Sequence, residues 1–158
     1  MLISILTEPN YAGNIIVNLA NLPDFLRKPI LKKRMIEFFS LSESERHEVI
    51  NNALLAGPTI PFPNFSKLFK TWLEILTTLS EEQREGLFFG YIDEITQAPQ
   101  KLILFNLDGI LEVFLTLDDE KKRILSHTVR NIISRLDEEK RRRILIIIPD
   151  SAKKHLGI

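Results

Sequence analysis

Five basic residues near the start of the chain form a cluster of positive charge. They are Arg27, Lys28, Lys32, Lys33 and Arg34, and no acidic residue lies among them. Helical repeats can align such side chains along one groove, where the phosphates of a nucleic acid neutralise them. The cluster is therefore a candidate contact surface for a partner or for nucleic acid.

Two further basic clusters, Lys121–Arg123 and Lys140–Arg143, are each preceded by acidic residues. An acid four positions before a base stabilises a helix by a few tenths of a kcal/mol. Acids in the first turn also suit the helix dipole. This spacing favours a structural role, although Lys140 and Arg142 stay among the candidate nucleic-acid contacts. The expected pairs are Asp118–Lys122, Asp119–Arg123, Asp137–Arg141, Glu138–Arg142 and Glu139–Arg143.

Phe62 is an aromatic residue held between two prolines, Pro61 and Pro63. On a stiff loop, such a ring can serve as an exposed anchor for a partner. The ring can instead fold back as a hydrophobic staple against Trp72 or the preceding helix. The staple is the favoured interpretation, and Phe62 is kept as a candidate contact.

The sequence contains no recognisable catalytic, cofactor-binding or metal-binding motif. His47, His127 and His155 have no second histidine or cysteine at ligand spacing, and the chain has no cysteine. Glu74 and Glu112 share a repeat column, but Glu74 falls about 140° from the predicted apolar stripe and thus towards solvent. Six glycines leave little material for a phosphate-binding loop or a nucleophile elbow. We expect no catalytic residue, no cofactor and no metal.

The composition is that of an ordinary globular chain. Of 158 residues, 44% are hydrophobic and 27% are charged, which argues against disorder. The formal net charge is zero, so no global field indicates a nucleic-acid or membrane partner. No apolar run approaches the roughly 18 residues of a membrane helix, and Met1–Leu6 is too short for a signal peptide. We expect a cytoplasmic protein.

An internal repeat sets the elements that must position these residues. Leu41, Leu79 and Leu117 recur with a constant period of about 38 residues, which indicates an array of helical hairpins. A fourth copy of the same motif begins half a period later, at Leu136. Each leucine is followed by a serine or aspartate, then by acids, then by a basic residue. Columns that coincide include Pro23, Pro61 and Pro99; Leu31, Phe69 and Leu107; Met35, Leu73 and Leu111; and Arg46, Arg84 and Lys122.

The predicted fold is all-α, an α-solenoid-like stack of helical hairpins with roughly eight helices. Its period resembles that of HEAT-like and other helical-hairpin repeats, while the tetratricopeptide and ankyrin signatures are absent. We expect a single all-helical repeat domain over residues 1–158. The repeats lie near 22–59, 60–97 and 98–135, with a partial repeat over 136–158. A first helix is predicted over 8–20, capped by Thr7.

Three stretches give specific expectations about local structure. Because proline lacks the amide that a helix interior needs, we expect a short turn over Pro23–Lys28 and a helix from Pro29 to Phe39. The apolar stretch Lys101–Gly109 has strand character, and so does the β-branched stretch Arg143–Pro149. The repeat register favours a helix in both.

Function is predicted only in outline. The favoured interpretation is a non-enzymatic interaction module whose groove binds a segment of a protein partner. One alternative is a nucleic-acid-binding repeat protein that uses the basic clusters. Another is an enzyme or small-ligand binder with a site in the concave groove. We expect no membrane partner, and we also consider self-association through the C-terminal helix, where Leu145–Ile148 leaves an apolar end.

Overall fold

The computed structural model describes residues 11–158, so Thr7 and the first residues of the predicted helix over 8–20 lie outside the described range. Residues 11–158 contain helices and turns and no strand, which confirms the all-α prediction. There are ten α-helices in this range rather than roughly eight, with short 3-10 turns at Phe38–Ser40 and Gly57–Thr59. The helices are α1 (Tyr11–Ala20), α2 (Asp24–Glu37), α3 (Glu43–Ala56), α4 (Phe62–Thr78), α5 (Glu81–Gln97), α6 (Gln100–Ile103), α7 (Leu107–Leu115), α8 (Asp119–Arg135), α9 (Glu138–Ile147) and α10 (Asp150–Leu156).

The chain divides into two compact units, Met1–Trp72 and Leu73–Ile158, and the division falls within α4. In the first unit α1 packs against α3. In the second unit α5 packs against α8 and α9, and α10 packs against α8. Five buried residues of the second unit form a hydrophobic cluster, with Phe88, Ile95, Val129, Leu145 and Ile148 packed against it. The five are Ile92, Ile132, Ile133, Leu136 and Ile144.

Seven helices of the described range begin at even intervals of half a repeat. Their first residues are Asp24, Glu43, Phe62, Glu81, Gln100, Asp119 and Glu138. A proline, serine or aspartate precedes every one of them. Side-chain oxygens of Ser42, Ser80, Asp118 and Asp137 each accept a hydrogen bond from the amide three residues on. Ser80 also forms a capping box, because its amide donates a hydrogen bond to the Gln83 side chain.

Helix α2 corrects the prediction of a turn over Pro23–Lys28. The helix begins at Asp24 and passes through Pro29, which lies inside it. The Pro23 carbonyl accepts hydrogen bonds from the amides of Leu26 and Arg27, which starts the helix early. Phe25 and Pro29 are both exposed, so the Phe25 carbonyl, left without an amide donor, lies where water can reach it. Leu31, Met35 and Phe38 are buried at helical spacing.

The stretch Lys101–Gly109 is neither the continuous helix nor the strand considered from the sequence. Helix α6 ends at Ile103, and α7 begins only at Leu107. The Asn106 side chain accepts a hydrogen bond from the Gly109 amide at 3.0 Å, so Asn106 caps a new helix. This extra start accounts in part for the higher helix count. In contrast, α9 continues through Ile147, which confirms the helix predicted over the β-branched stretch.

Candidate interaction surface

Arg27, a member of the predicted basic cluster, is 1% exposed. Its guanidinium donates hydrogen bonds to the Leu22 carbonyl at 2.6 Å and to Thr71 Oγ1 at 3.3 Å, and it forms an ion pair with Asp24. Thr71 in turn donates to the Lys67 carbonyl at 2.9 Å. Because these groups occupy its donors inside the first unit, Arg27 is not available at the surface.

Arg84 has the same surroundings in the second unit. It is 7% exposed and donates to Thr128 Oγ1 at 2.9 Å, to the Leu79 carbonyl at 2.8 Å and to the Leu76 carbonyl at 3.1 Å. Its ion pair is with Glu81. Partial burial alone would raise the pKa of Glu81, but the hydrogen bond and the charge of Arg84 outweigh it and hold this pKa below its usual range.

The two arginine networks share three contacts. Arg27 and Arg84 each bond the carbonyl five residues back, pair with the acid three residues back, and donate to a threonine 44 residues on. Arg46 and Arg141 lie on the same half-repeat series and also bond carbonyls at the end of the preceding helix.

The remaining basic residues of the first cluster lie on the outside of α2. Lys28, Lys32 and Lys33 are exposed and form no ion pair with any residue of the described range. Arg34 is also exposed, but its Nη1 lies 3.1 Å from Glu37 Oε2. Within residues 11–158, these three lysine charges are thus not neutralised by a carboxylate.

Four large apolar residues are exposed on the same helix. Phe25 is 76% exposed, Ile36 47%, Leu26 40% and Ile30 39%. They are four of the ten large hydrophobic residues found exposed in the described range. An exposed apolar cluster of this kind marks an interaction site more often than isolated exposed residues do. These residues, together with Lys28, Lys32 and Lys33, are called the α2 outer face below.

The apolar and basic residues of this face are interleaved. At 100° per residue, Phe25, Pro29 and Ile36 fall within about 40° of one another. Lys32 and Lys33 lie on either side of this apolar line. Arg27, Leu31 and Met35 point the other way and are buried. A bound segment would therefore meet an apolar line flanked by positive charge.

Phe62 is the first residue of α4 and not part of a loop. It is half-buried, and its ring centroid lies 6.1 Å from that of Phe65. The row of rings continues from Phe65 to Phe69 at 5.8 Å and from Phe69 to Trp72 at 5.9 Å, both stacked. The structure thus places Phe62 at the end of an aromatic row along α4, on a different helix from the basic residues of α2.

Most residues of the two later basic clusters have an acidic partner within the described range. Lys140 Nζ lies 3.3 Å from Asp93 Oδ1, whereas Arg142 is exposed and forms no ion pair within residues 11–158. Of the expected i,i+4 pairs, Glu139–Arg143 forms at 2.6 Å. The bases of α8 instead meet acids three residues earlier. These i,i+3 pairs are Asp118–Lys121, Asp119–Lys122 and Glu120–Arg123.

The apolar C-terminal stretch considered for self-association is largely covered. Leu145 and Ile148 pack against the hydrophobic cluster of the second unit. Ile146 is the residue of this stretch that remains well exposed, at 75%. The exposed apolar surface at the end of α9 thus comes mainly from the Ile146 side chain.

One cleft of about 280 Å³ lies in the second unit and is lined by residues of three helices. Phe114 and Leu115 come from α7, His155 comes from α10, and the others lie on α8. Sequence reasoning missed this site, because its parts are brought together only by packing. The α8 residues are Asp119, Lys122, Arg123, Ser126 and Arg130.

Glu74 and Glu112, which share a repeat column in the sequence, do not form a carboxylate pair. Glu74 Oε2 lies 3.5 Å from Lys121 Nζ, and Glu112 is exposed. Within residues 11–158 there is no group of three or more histidine, cysteine, aspartate or glutamate side chains suited to hold a metal. In the same range no helix has the length and apolar character needed to cross a membrane.

Known proteins offer no guide to these surfaces. The chain has no significant match among protein-family models, among curated proteins or among solved structures.

Proposed function

We propose that this chain is a non-enzymatic helical-repeat interaction module of the cytoplasm and that it binds a protein partner through the α2 outer face. The partner segment would be acidic and would carry apolar side chains at helical or extended spacing. The apolar side chains would cover Phe25 and Ile36, while carboxylates would meet Lys32 and Lys33.

The observation that carries this proposal is the mixture of side chains on α2. Exposing Phe25, Leu26, Ile30 and Ile36 to water is unfavourable, and covering them would gain about 25 cal/mol per Å² of apolar area. The flanking lysines lack carboxylates within the described range, so an acidic segment complements them. Charge around an apolar centre is the usual arrangement of a specific interface.

We further propose that the repeats form an α-solenoid-like, HEAT-like stack with a period of about 38 residues. The even spacing of seven helix starts within the described range supports this architecture. So do the matched networks of Arg27 and Arg84, since each links helices whose starts are one full period apart. In such arrays each repeat buries its apolar face against its neighbours and leaves an outer helix face for binding.

The proposal is tested with immobilised wild-type protein and two variants, Phe25→Ala and the double variant Lys32→Glu/Lys33→Glu. Proteins retained from a lysate of the source cell are compared by quantitative mass spectrometry, and the binding segment of each enriched protein is then titrated as a peptide. We expect an acidic peptide that binds about tenfold more weakly to Phe25→Ala, because truncating a central aromatic anchor costs more than about 1 kcal/mol. Salt should weaken binding of the acidic peptide to wild type, whereas it should strengthen binding to the double variant, because it then screens repulsion between like charges.

Matched controls come from Lys67 and Lys70 of α4, which have no ion pair within the described range. The double variant Lys67→Glu/Lys70→Glu changes charge equally and should leave peptide affinity within about twofold. Salt-dependent retention of DNA or RNA that is lost in Lys32→Glu/Lys33→Glu would favour the nucleic-acid alternative instead. Peptide binding that survives both α2 variants would rule out the α2 outer face.

A further inference from the structure

We propose that the cleft between α7, α8 and α10 binds the phosphate group of a small organic phosphate. This inference concerns a different unit from the α2 outer face and does not depend on the protein-partner proposal.

One face of α8 supplies most of the cleft. Lys122, Arg123, Ser126 and Arg130 follow at helical spacing and all line it. Phe114 and Leu115 from the end of α7 form an apolar part of the wall, and His155 of α10 lies opposite. Because α10 packs against α8, the His155 ring and the α8 side chains border one volume.

The charge of this lining favours an anion. Lys122, Arg123 and Arg130 carry three positive charges against one negative charge from Asp119. Asp119 lies 3.3 Å from Lys122 Nζ but is fully exposed, so water screens that pair. Arg123 and its partner Glu120 are each 74% exposed at 3.8 Å, which is a weak pair that an incoming anion can replace.

Arg130 is the best positioned of the three cations. Its Nη1 donates to the Leu156 carbonyl at 3.2 Å, which fixes the guanidinium beside the C-terminal helix. A guanidinium has five N–H donors, and this bond uses one of them. The other donors are oriented by the same contact and suit the oxygens of a phosphate.

Ser126 adds a hydroxyl to the lining of the cleft. The residue as a whole is 5% exposed, and its hydroxyl makes no hydrogen bond within residues 11–158. The hydroxyl oxygen is not among the enclosed atoms of that range that lack a partner, so a ligand in the cleft can reach it. A phosphate oxygen in the cleft would accept a hydrogen bond from this hydroxyl.

The size and walls of the cleft indicate more than a free ion. About 280 Å³ is near the lower end of small-molecule sites and exceeds what a single phosphate fills. Phe114 and Leu115 would contact an apolar organic part of the ligand. The chemical class is therefore a phosphate monoester with a small, partly apolar organic group.

The test uses the full-length chain and phenyl phosphate as the probe. Binding is followed by NMR shift changes at the Ser126 and Arg130 amides and quantified by calorimetry, with benzyl alcohol as the probe that lacks the anion. We expect a Kd of about 1 mM or tighter for phenyl phosphate, weaker binding of inorganic phosphate, and none for benzyl alcohol. The double variant Arg123→Gln/Arg130→Gln should bind phenyl phosphate at least about tenfold more weakly.

Arg135→Gln is the matched control, because Arg135 lies on α8 outside the cleft and is 65% exposed. The affinity of Arg135→Gln for phenyl phosphate should stay within about twofold of that of wild type. Ser126→Ala removes only the hydroxyl and should also weaken binding, which keeps the test valid if the arginine pair disturbs α10. Circular dichroism checks folding of each variant.

Three results would overturn the inference. One is absence of phenyl phosphate binding by folded wild-type protein at about 10 mM. A second is equal binding by wild type, Ser126→Ala and the double arginine variant. A third is tight, salt-sensitive binding of an oligonucleotide that phenyl phosphate does not displace, since the cleft residues would then belong to a nucleic-acid surface.

Discussion

The buried arginines show how single residues connect neighbouring helices. Arg84 reaches two carbonyls at the end of α4 and the loop that follows, a glutamate in its own first turn, and a threonine on α8. Arg27 makes three of these contacts in the first unit, with one carbonyl, an aspartate and a threonine. A buried charge is tolerated only where its donors are satisfied, as they are at both positions. Each arginine therefore fixes the packing of two helices and contributes nothing to surface charge.

The lowered pKa of Glu81 gives stability that depends on pH. Because the folded-state pKa lies below the unfolded value near 4.5, the pair with Arg84 stabilises the fold above that pH and is lost as pH falls through the folded pKa. We expect Glu81→Gln to be less stable than wild type at pH 7 and nearly equal to it at low pH. Urea unfolding at both pH values measures this difference.

Glu82→Gln is the control for Glu81→Gln, because Glu82 is exposed in the same helix turn and has no ion pair within the described residues. Both variants remove one charge near the helix N-terminus. If both lose the same stability at pH 7, the helix dipole rather than the Arg84 pair explains the effect.

At the scale of elements, helix starts are the most regular feature of the chain. Ser42 and Ser80 form capping boxes, and Asp118 and Asp137 cap with a carboxylate. Where proline occupies the equivalent position, as Pro23 does, its carbonyl starts the helix without a side-chain cap. Each cap lies between two helices. The apolar stripe of the earlier helix ends, and that of the next helix begins, within two or three residues. The cap thus sets the register of the core residues that follow.

We expect Ser80→Ala to lower the free energy of unfolding by about 1 kcal/mol, because it leaves the Gln83 amide without its acceptor. Ser80→Asp should keep most of the stability, since aspartate caps as well as serine. Thermal or urea unfolding of the three proteins measures the order. Equal loss in Ser80→Ala and Ser80→Asp would show that the cap itself contributes little.

At the scale of the molecule, periodicity predicts the order of helices but not the surfaces they present. The leucine motif precedes α3, α5, α8 and α9. It predicts their starts correctly because the capping residues and the core positions recur with the same period. The break before α7 was not predicted. The Asn106 side chain accepts a hydrogen bond from the Gly109 amide, and this local bond starts a new helix where the repeat register predicts a continuous one.

The candidate sites were predictable only in part, for physical reasons. Exposed Lys32 and Lys33 follow from the buried stripe opposite them, whereas burial of Arg27 depends on Thr71, 44 residues away. Phe25 and Ile36 lie on the same side of α2 as these lysines. Their exposure was not predicted, because a turn was expected over Pro23–Lys28 and because apolar side chains on a helix usually point inwards. The cleft between α7, α8 and α10 forms only when α10 packs against α8, and the spacing of residues in the sequence does not predict that contact.

The proposed repeat architecture predicts how the effect of a destabilising substitution spreads through the chain. Arg84→Met removes the donor to the Leu79 carbonyl, one of two donors to the Leu76 carbonyl, and the ion-pair partner of Glu81. This should cost about 2–4 kcal/mol, and Arg27→Met should cost a similar amount in the first unit. In a stack whose repeats contact only their neighbours, instability stays local. Native-state hydrogen exchange should therefore accelerate in α5 and α8 for Arg84→Met, and in α2 for Arg27→Met, with Arg142→Met as the exposed control. Uniform acceleration from α1 to α10 in either variant would instead show one cooperative domain without the independence of a repeat array.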